Sequence, residues 1–435
     1  MRLMLFGDLP GIPQLLEHLP PQQVVGVVAA SIRPQYHAEL ERISVQLGVP
    51  LLIQPRVDAV DYAEFRDAVA NLNPDLIWVN SYSMIVRDDV MSLARLGGIN
   101  IHAALLPKYR GCNPIQWAII NGERHAGVTM HEMTPALDEG PIIDQRTVPI
   151  LLEDTWLTVR DRIKNATYDL IRSNLANVLS GRWSKTRQDD ARASYGRRRT
   201  KEDGEFSWQD SVLAICNKIR ALVPPLPPAY YLSEQGERIE QQRFMTPMAV
   251  TVQKYGPAGR CALDGAQVKL RPPNAGDAAL LEEWMLHPEP ILVGSPFASL
   301  PRHPEEAMQY LLEVQTNAVI LVVEDLSDRA VKGAVMLGEI NWHHRHAEMH
   351  VFMRTQTMHE PEVWSDAAEL LCLFGFRELE LKSITTHLPW DQKGMITALA
   401  RNGFEEVAVL RRAAWLNDRW CDIVQLRWAQ VGERP

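Results

Sequence analysis

The chain has 435 residues, 46% of them hydrophobic, and a formal net charge of −9. That length and apolar content suit two to four packed domains of roughly 100–200 residues each and exclude wholesale disorder. The acidic balance excludes broad nucleic-acid binding, which needs a basic face, but leaves room for a local basic pocket. The five cysteines (Cys112, Cys216, Cys261, Cys372 and Cys421) are far apart and form no CxxC pair, so neither a zinc ribbon nor a disulfide framework is expected. The apolar part of MRLMLFGDLP is too short for a signal peptide, and no run reaches the ~18–20 residues of a membrane helix. A cytoplasmic protein without a membrane partner is expected.

MRLMLFG reads as a buried strand and GIPQLLEHL as a helix. VVGVVAA, PLLIQP and DLIWVNSY read as further buried strands, with helical stretches such as AEFRDAVANL between them. Short apolar runs alternating with amphipathic helices imply a parallel sheet covered on both faces. Ligands of such sheets lie beyond the carboxyl ends of the strands. The run Asn80-Ser81-Tyr82-Ser83 falls on that side. GINIH is the next short strand, and its period of two puts Asn100 and His102 on one face at the same rim.

VRDRIKNATYDLIRSNLANVL has apolar residues at helical spacing. ARASYGRRRTKEDGEFSW reads as a loop or extended arm, SVLAICNKIRAL as a helix stopped by VPPLPPAYY, and residues 230–257 as a β-rich closing module. YGPAGRCALDGAQ marks a boundary. Beyond it, VKLRPPNAGDAALLEEWMLHP predicts a strand, a turn and a helix, and EEAMQYLLEV a second helix. AVILVVEDLSDRAVKGAVMLGEINW predicts a hairpin around Asp325–Arg329, since two β-rich runs flank a polar turn. AEMHVFMR reads as a strand, VWSDAAELLCLFGFREL as a helix, SITTHLP as a strand and QKGMITALARNGF as a helix, before a β-rich tail. The order is α+β. The histidines of NWHHRHAEMH lack a complete metal-ligand set at fixed spacing, so they read as cleft or solvated residues.

NIHAALLPKYRG followed by Leu137-Asp138-Glu139-Gly140 resembles the 10-formyltetrahydrofolate-dependent formyltransferases, a group that acts on methionyl-tRNA, glycinamide ribonucleotide or sugar nucleotides. The likeness runs from Met1 to about Ala229. It implies an α/β fold: a Rossmann-like parallel-sheet catalytic domain over 1–185, then an arm, a helix and a small β-rich closing module over 186–257. It implies Asn100, His102 and Asp138 as catalytic residues and 10-formyltetrahydrofolate as cofactor. The cofactor would be held by Ser83, Met84 and Ile85 and by the loop Pro135, Ala136, Leu137 and Gly140. The chain departs from the family at Ala103-Ala104, and Pro225-Leu226-Pro227-Pro228-Ala229 lacks the family's glycine.

The chemistry agrees with those roles. Formyl transfer to an amine develops an oxyanion, to which an Asn amide can donate without titrating. The attacking amine must lose a proton, and an imidazole can exchange one near neutral pH. Asp138 can orient His102, stabilise its charged form or relay the proton. Lys108, Arg110 and Arg198 are candidates to contact a pyrophosphate. The expected partner is therefore a small-molecule amine, phosphorylated or nucleotide-linked, with an amino-sugar nucleotide first. An amino-acid amine such as hydroxyornithine is the alternative. A homo-oligomer is compatible with either.

Residues 265–430 resemble the GCN5-related N-acetyltransferases through VKLRPPNAGD, GAVMLGEINW, AEMHVFM and ALARNGFEEVAVLR. This implies an α+β domain and acetyl-CoA as a second cofactor. The segment TQTMHEPEVWSDAA departs from the family: it has no glycine and carries Glu360 and Glu362 where the family cradles a pyrophosphate. Two readings stand, a bifunctional enzyme and a formyltransferase whose second half is a binding or dimerisation module.

Overall fold

A computed structural model describes residues 1–9, 11–256, 262–277, 318–353, 360–416 and 419–430. The chain forms two compact units. One comprises Met1–Ile150 and Asp154–Thr200, the other Leu151–Glu153 and Lys201–Pro435.

In the first unit the apolar runs become β1 (Leu3–Phe6), β2 (Val24–Ala30), β3 (Leu51–Gln54), β4 (Leu76–Asn80) and β5 (Gly98–His102). A two-residue strand, β6 (Arg110–Gly111), precedes β7 (His125–Glu132) and β8 (Ile142–Pro149). The seven-stranded sheet has the order β3-β2-β1-β4-β5-β7-β8. The first five pair in parallel, as expected. β7 and β8 run antiparallel at one edge, so the sheet is mixed rather than wholly parallel. Strand order reverses between β1 and β4, which opens a crevice at their carboxyl ends.

Register fixes the rim. Val79 of β4 faces Asn100, and Asn100 faces His131 of β7. Beneath it, Met4, Phe6, Val28, Ile77 and Val79 pack with Phe65 and Val69 from helix Tyr62–Asn71. The predicted long helix spans Trp156–Ser180, opened by a Thr155 capping box and ended by Gly181 in the left-handed region at φ 69°. The short strand β9 (Tyr195–Gly196) pairs with β6 and ties the arm back to the rim.

The second unit carries helix Val212–Ala221, N-capped by the Ser211 side chain, and the hairpin β10 (Ala229–Leu232) and β11 (Arg238–Gln241). The β-rich expectation for 230–257 holds only for this hairpin. Pro247–Tyr255 is a helix, because Thr246 caps it and Pro247 opens it, and these local signals override three β-branched residues. The Lys254 ammonium, 2% exposed as a side chain, binds Glu378 at 2.8 Å. Glu378 also accepts from Tyr255 Oη at 2.7 Å and Val212 N at 2.8 Å. The module's helices are therefore fastened to helix Pro361–Glu378.

An eight-stranded sheet follows in the order β12-β13-β14-β15-β16-β17-β19-β18. Its strands are β12 (Leu263–Asp264), β13 (Val268–Arg271), β14 (Val319–Asp325), β15 (Val331–Asn341), β16 (His346–Met353), β17 (Ser383–Pro389), β18 (Glu405–Leu416) and β19 (Arg419–Ala429). β14 and β15 form the predicted hairpin. β16 and β17 pair in parallel only over His346–Glu348 and Ser383–Thr385 and then separate. Helix Pro361–Glu378 is the crossover between them, as parallel pairing requires. The helices expected after VKLRPPNAGD and over EEAMQYLLEV, and most of TQTMHEP, lie outside the described residues. Among the described residues no helix is long and apolar enough to cross a membrane.

Candidate active sites

The expected trio meets at the rim of the first sheet. β5 supplies Asn100 and His102; the loop after β7 supplies Asp138. Asn100 Nδ2 lies 3.4 Å from Asp138 Oδ1, and His102 Nδ1 lies 3.6 Å from Asp138 Oδ2. Asp138 adopts φ 56°, a left-handed conformation that costs a non-glycine residue energy and must be held by its surroundings. Three contacts hold it. Gly111 N donates to its Oδ2 at 2.8 Å, and Gln188 Nε2 donates at 2.7 Å both to its carbonyl and to that of Gly140. A Cβ at Gly140 would come 1.8 Å from Glu132 O, so the loop needs glycine there.

The electrostatics split the two titrating groups. Burial works against the Asp138 carboxylate, but His131, the His102 charge and the Gly111 N–H hold its pKa down at about 2. Burial lowers the His102 pKa below its ordinary value, outweighing Asp138 and the Tyr109 carbonyl. His102 is therefore neutral at pH 7. Among the described residues its Nε2 meets only the Tyr109 carbonyl, at 2.8 Å, so that nitrogen carries the proton. The basic lone pair is then on Nδ1, facing Asp138.

Three contributors escaped the sequence reading. His131 is 2% exposed; its Nδ1 donates to Glu132 O at 2.7 Å, leaving Nε2 to accept from Asn100 Nδ2 at 3.2 Å. The strand register that brings it opposite Asn100 was its signal. Gln188 and the Tyr109 carbonyl had none, since each acts through a fold contact. Asp8, two residues beyond the end of β1, is also buried, and burial raises its pKa despite Ser83 and Arg33.

The folate-side expectations fall on two loops. Ser83 Oγ accepts from Arg33 Nε at 3.0 Å, Met84 Sδ accepts from Ser31 Oγ at 3.7 Å, and Ile85 O accepts from Gln54 Nε2 at 3.0 Å. The Ile85 side chain is 69% exposed and Leu137 48%. Pro135 and Ala136 belong to the same loop as Leu137, and Ala136 O accepts from Thr134 Oγ1.

The cation expectations divide. Arg110 is 1% exposed, and its guanidinium binds Gln188, Asp190 at 2.7 Å and Tyr195 Oη at 2.8 Å. It therefore braces the Asp138 loop through Gln188 and is not free for a pyrophosphate. Lys108 is exposed, bound to Glu123 at 2.9 Å, and lines a cavity of about 600 Å³ with Tyr109, Trp117, Tyr195 and Arg197. Arg198 is exposed, but Arg197 lines this cavity in its place, its guanidinium 5.4 Å from the Trp117 ring centroid.

In the second unit, β16 places His346, Glu348 and His350 on one face, and β17 places Ser383, Thr385 and His387 on one face. Glu348 Oε1 meets His387 Nδ1 at 2.7 Å across the separating strands. Burial disfavours the Glu348 charge, but His387, His350 and His346 hold its carboxyl below the usual range. Burial pushes the His350 imidazole down to about 4. Among the described residues no group of three His, Cys, Asp or Glu could hold a metal ion.

A formyl transferase family model matches residues 17–175, and an acetyltransferase (GNAT) domain model matches residues 267–405. The chain joins a formyl transferase domain to a GNAT acetyltransferase domain. Among similar solved structures, a sugar N-formyltransferase from Shewanella sp FDAARGOS_354 is 20% identical with a TM-score of 0.47, covering 56% of this chain and 97% of its own. An N-formyltransferase from Helicobacter canadensis, in complex with folinic acid and dTDP-3-aminofucose, is 20% identical with a TM-score of 0.42, covering 51% and 80%. A spermidine N-acetyltransferase from Vibrio cholerae, in complex with CoA and spermine, is 21% identical with a TM-score of 0.34, covering 38% and 96%. Asn100, His102, His131 and Asp138 lie inside the formyl transferase match, and Glu348 and His387 inside the GNAT match.

Proposed function

We propose that the formyl transferase domain transfers a formyl group from 10-formyltetrahydrofolate to the primary amine of a nucleotide-linked amino sugar. The observation that carries this is the contact of Asn100, His102 and Asp138 in one cluster at the sheet rim. When bound, 10-formyltetrahydrofolate supplies an activated formyl carbon. Asn100 Nδ2 would donate to the formyl oxygen, giving up its long contact with Asp138. His131 keeps the amide turned that way. His102 Nδ1 would take the proton that the amine loses as its nitrogen bonds the formyl carbon, hold it against the Asp138 carboxylate, and return it to the folate nitrogen as the carbon–nitrogen bond to the cofactor breaks. The cavity beside Lys108 and Arg197, with two aromatic rings from Trp117 and Tyr195, supplies the surface for a nucleoside diphosphate. The test is mass spectrometry after incubating amino-sugar nucleotides and hydroxyornithine with 10-formyltetrahydrofolate. One added formyl group on an amino-sugar nucleotide supports the reading. Formylation of hydroxyornithine alone, or of neither, defeats it.

The GNAT domain supports a second transfer, from acyl-coenzyme A to an amine, in a cytoplasmic setting. Here Glu348 and His387 are the paired groups placed to accept the amine proton. β16 and β17 stop pairing beyond Glu348 and Thr385, where an acyl arm would have to enter, whereas Glu360 and Glu362 oppose a pyrophosphate at the helix start. Glu348→Gln is expected to keep the thermal shift produced by acetyl-CoA while reducing transfer to polyamine and amino-sugar acceptors by ~10²-fold or more. No shift and no binding heat in the native protein would make the domain a binding module.

A further inference from the structure

The cavity beside Lys108 shares a wall with the supports of the trio. Ser194, Tyr195, Gly196 and Arg197 line it. The same arm residues hold the chain on which the trio leans. Arg110 N donates to Ser194 O at 2.9 Å, and Cys112 N donates to Gly196 O at 2.8 Å, so β9 lies along β6. Two connections run from this wall to the reacting groups.

The first passes through Tyr109. Ser194 Oγ accepts from Tyr109 N at 2.9 Å, and the Tyr109 carbonyl accepts from His102 Nε2 at 2.8 Å. The second passes through Arg110. Tyr195 is 59% exposed, yet its Oη accepts from Arg110 Nη1 at 2.8 Å and donates to Glu139 at 2.6 Å. Arg110 Nη2 donates to Gln188 Oε1 at 2.9 Å, and Gln188 Nε2 carries the contact on to the Asp138 and Gly140 carbonyls. Each connection includes a residue in the left-handed region, Tyr109 at φ 59° and Asp138 at φ 56°. A non-glycine residue keeps that conformation only while its neighbours hold it. The holder is slight by itself: β9 has two residues, against about five or six in an ordinary strand. A ligand seated against Ser194–Arg197 adds contacts to that strand and favours the state in which both strained residues are held.

We propose that β9 couples the filling of this cavity to the geometry of His102 and Asp138, so that the nucleotide raises the rate of formyl transfer and does more than tether the amine. The coupling rests on the occupation of the cavity by a nucleoside diphosphate, as proposed above. Ser194 and Tyr195 are then positioning residues, acting through Tyr109 and Arg110. Binding energy from a part of the substrate remote from the reacting centre goes into orientation there, and its loss shows in kcat as well as in KM.

The experiment compares an amino-sugar nucleotide that the protein formylates with the 1-deoxy form of the same amino sugar, alone and with the matching nucleoside diphosphate (dTDP, UDP or GDP). Removing the nucleotide should lower kcat by ~30-fold or more besides raising KM, and saturating nucleoside diphosphate should raise kcat for the 1-deoxy sugar by ~10-fold or more. Tyr195→Phe keeps the ring that lines the cavity and removes the hydroxyl. It and Ser194→Ala should each lower kcat for the linked substrate by ~10-fold or more with little change in KM, and shrink the difference in kcat between linked and 1-deoxy sugars. Ser194→Thr, which keeps a hydroxyl, should recover most of the loss. Thermal melts verify folding, and the native comparison is decisive without any variant. Equal kcat for the linked and 1-deoxy sugars, or no rise in kcat with nucleoside diphosphate, overturns the coupling while leaving formyl transfer standing. So do folded Tyr195→Phe and Ser194→Ala proteins that slow both substrates alike, which is the mark of a merely structural role. A protein that formylates no amino-sugar nucleotide defeats the proposed activity, and the coupling with it.

Discussion

Asn100→Ala is expected to lower kcat for formyl transfer by about 10²–10³-fold, with little change in KM for the amine, because it removes one donor to an oxygen whose charge develops only during reaction. The cluster also sets the pH response. Burial holds His102 below its ordinary value near 6.5, so its neutral form persists through pH 7 and is lost as pH falls through the lowered value. The acid limb of kcat, measured with saturating amine, should therefore lie below pH 6.5. Asp138 is the main group pushing His102 upward. Asp138→Asn should consequently move that limb to still lower pH while reducing the rate. An acid limb above pH 6.5, or an Asn100→Ala protein with more than half the native rate, would contradict the assigned roles.

The largest effect on stability is expected from Glu378→Ala. Removing this carboxylate takes the ion-pair partner from Lys254, a buried ammonium that keeps the Asp210 carbonyl at 2.8 Å, and removes an acceptor of Tyr255 Oη and Val212 N. Breaking a buried ion pair from one side costs roughly 3–5 kcal/mol. For a unit of this size that lowers the melting temperature by roughly 10 °C. Calorimetry should show the loss in one transition, that of the unit containing residues 201–435. A double replacement of Lys254 and Glu378 by Met and Leu should recover much of it, because no unpaired charge remains.

The parallel half of the first sheet was legible because its strands are buried on both faces and read as unbroken apolar runs. β7 was hidden because its buried positions include Thr129 and His131, polar residues satisfied by Ala104 O and Glu132 O. That Asn100, His102 and Asp138 meet was legible from their motif, because β5 fixes the first two on one face and the loop after β7 carries the third. Arg110 was misread because a charged side chain is ordinarily a surface one. Its partners Gln188, Asp190 and Tyr195 are about 80 residues away, and nothing local announces them. The helix Pro247–Tyr255 was obscured by Val250, Thr251 and Val252, although Thr246-Pro247 carried the start signal.

Leu151–Glu153 belongs to the second unit although both flanks belong to the first. Its anchor is Arg220, a 4% exposed guanidinium that donates to Leu151 O at 2.6 Å and to Asn217 Oδ1 at 3.0 Å. The polypeptide therefore changes units three times, after residues 150, 153 and 200. No single crossover in the gene can lift either half out intact. Swapping one catalytic half between relatives demands that this three-residue stitch and its arginine travel together.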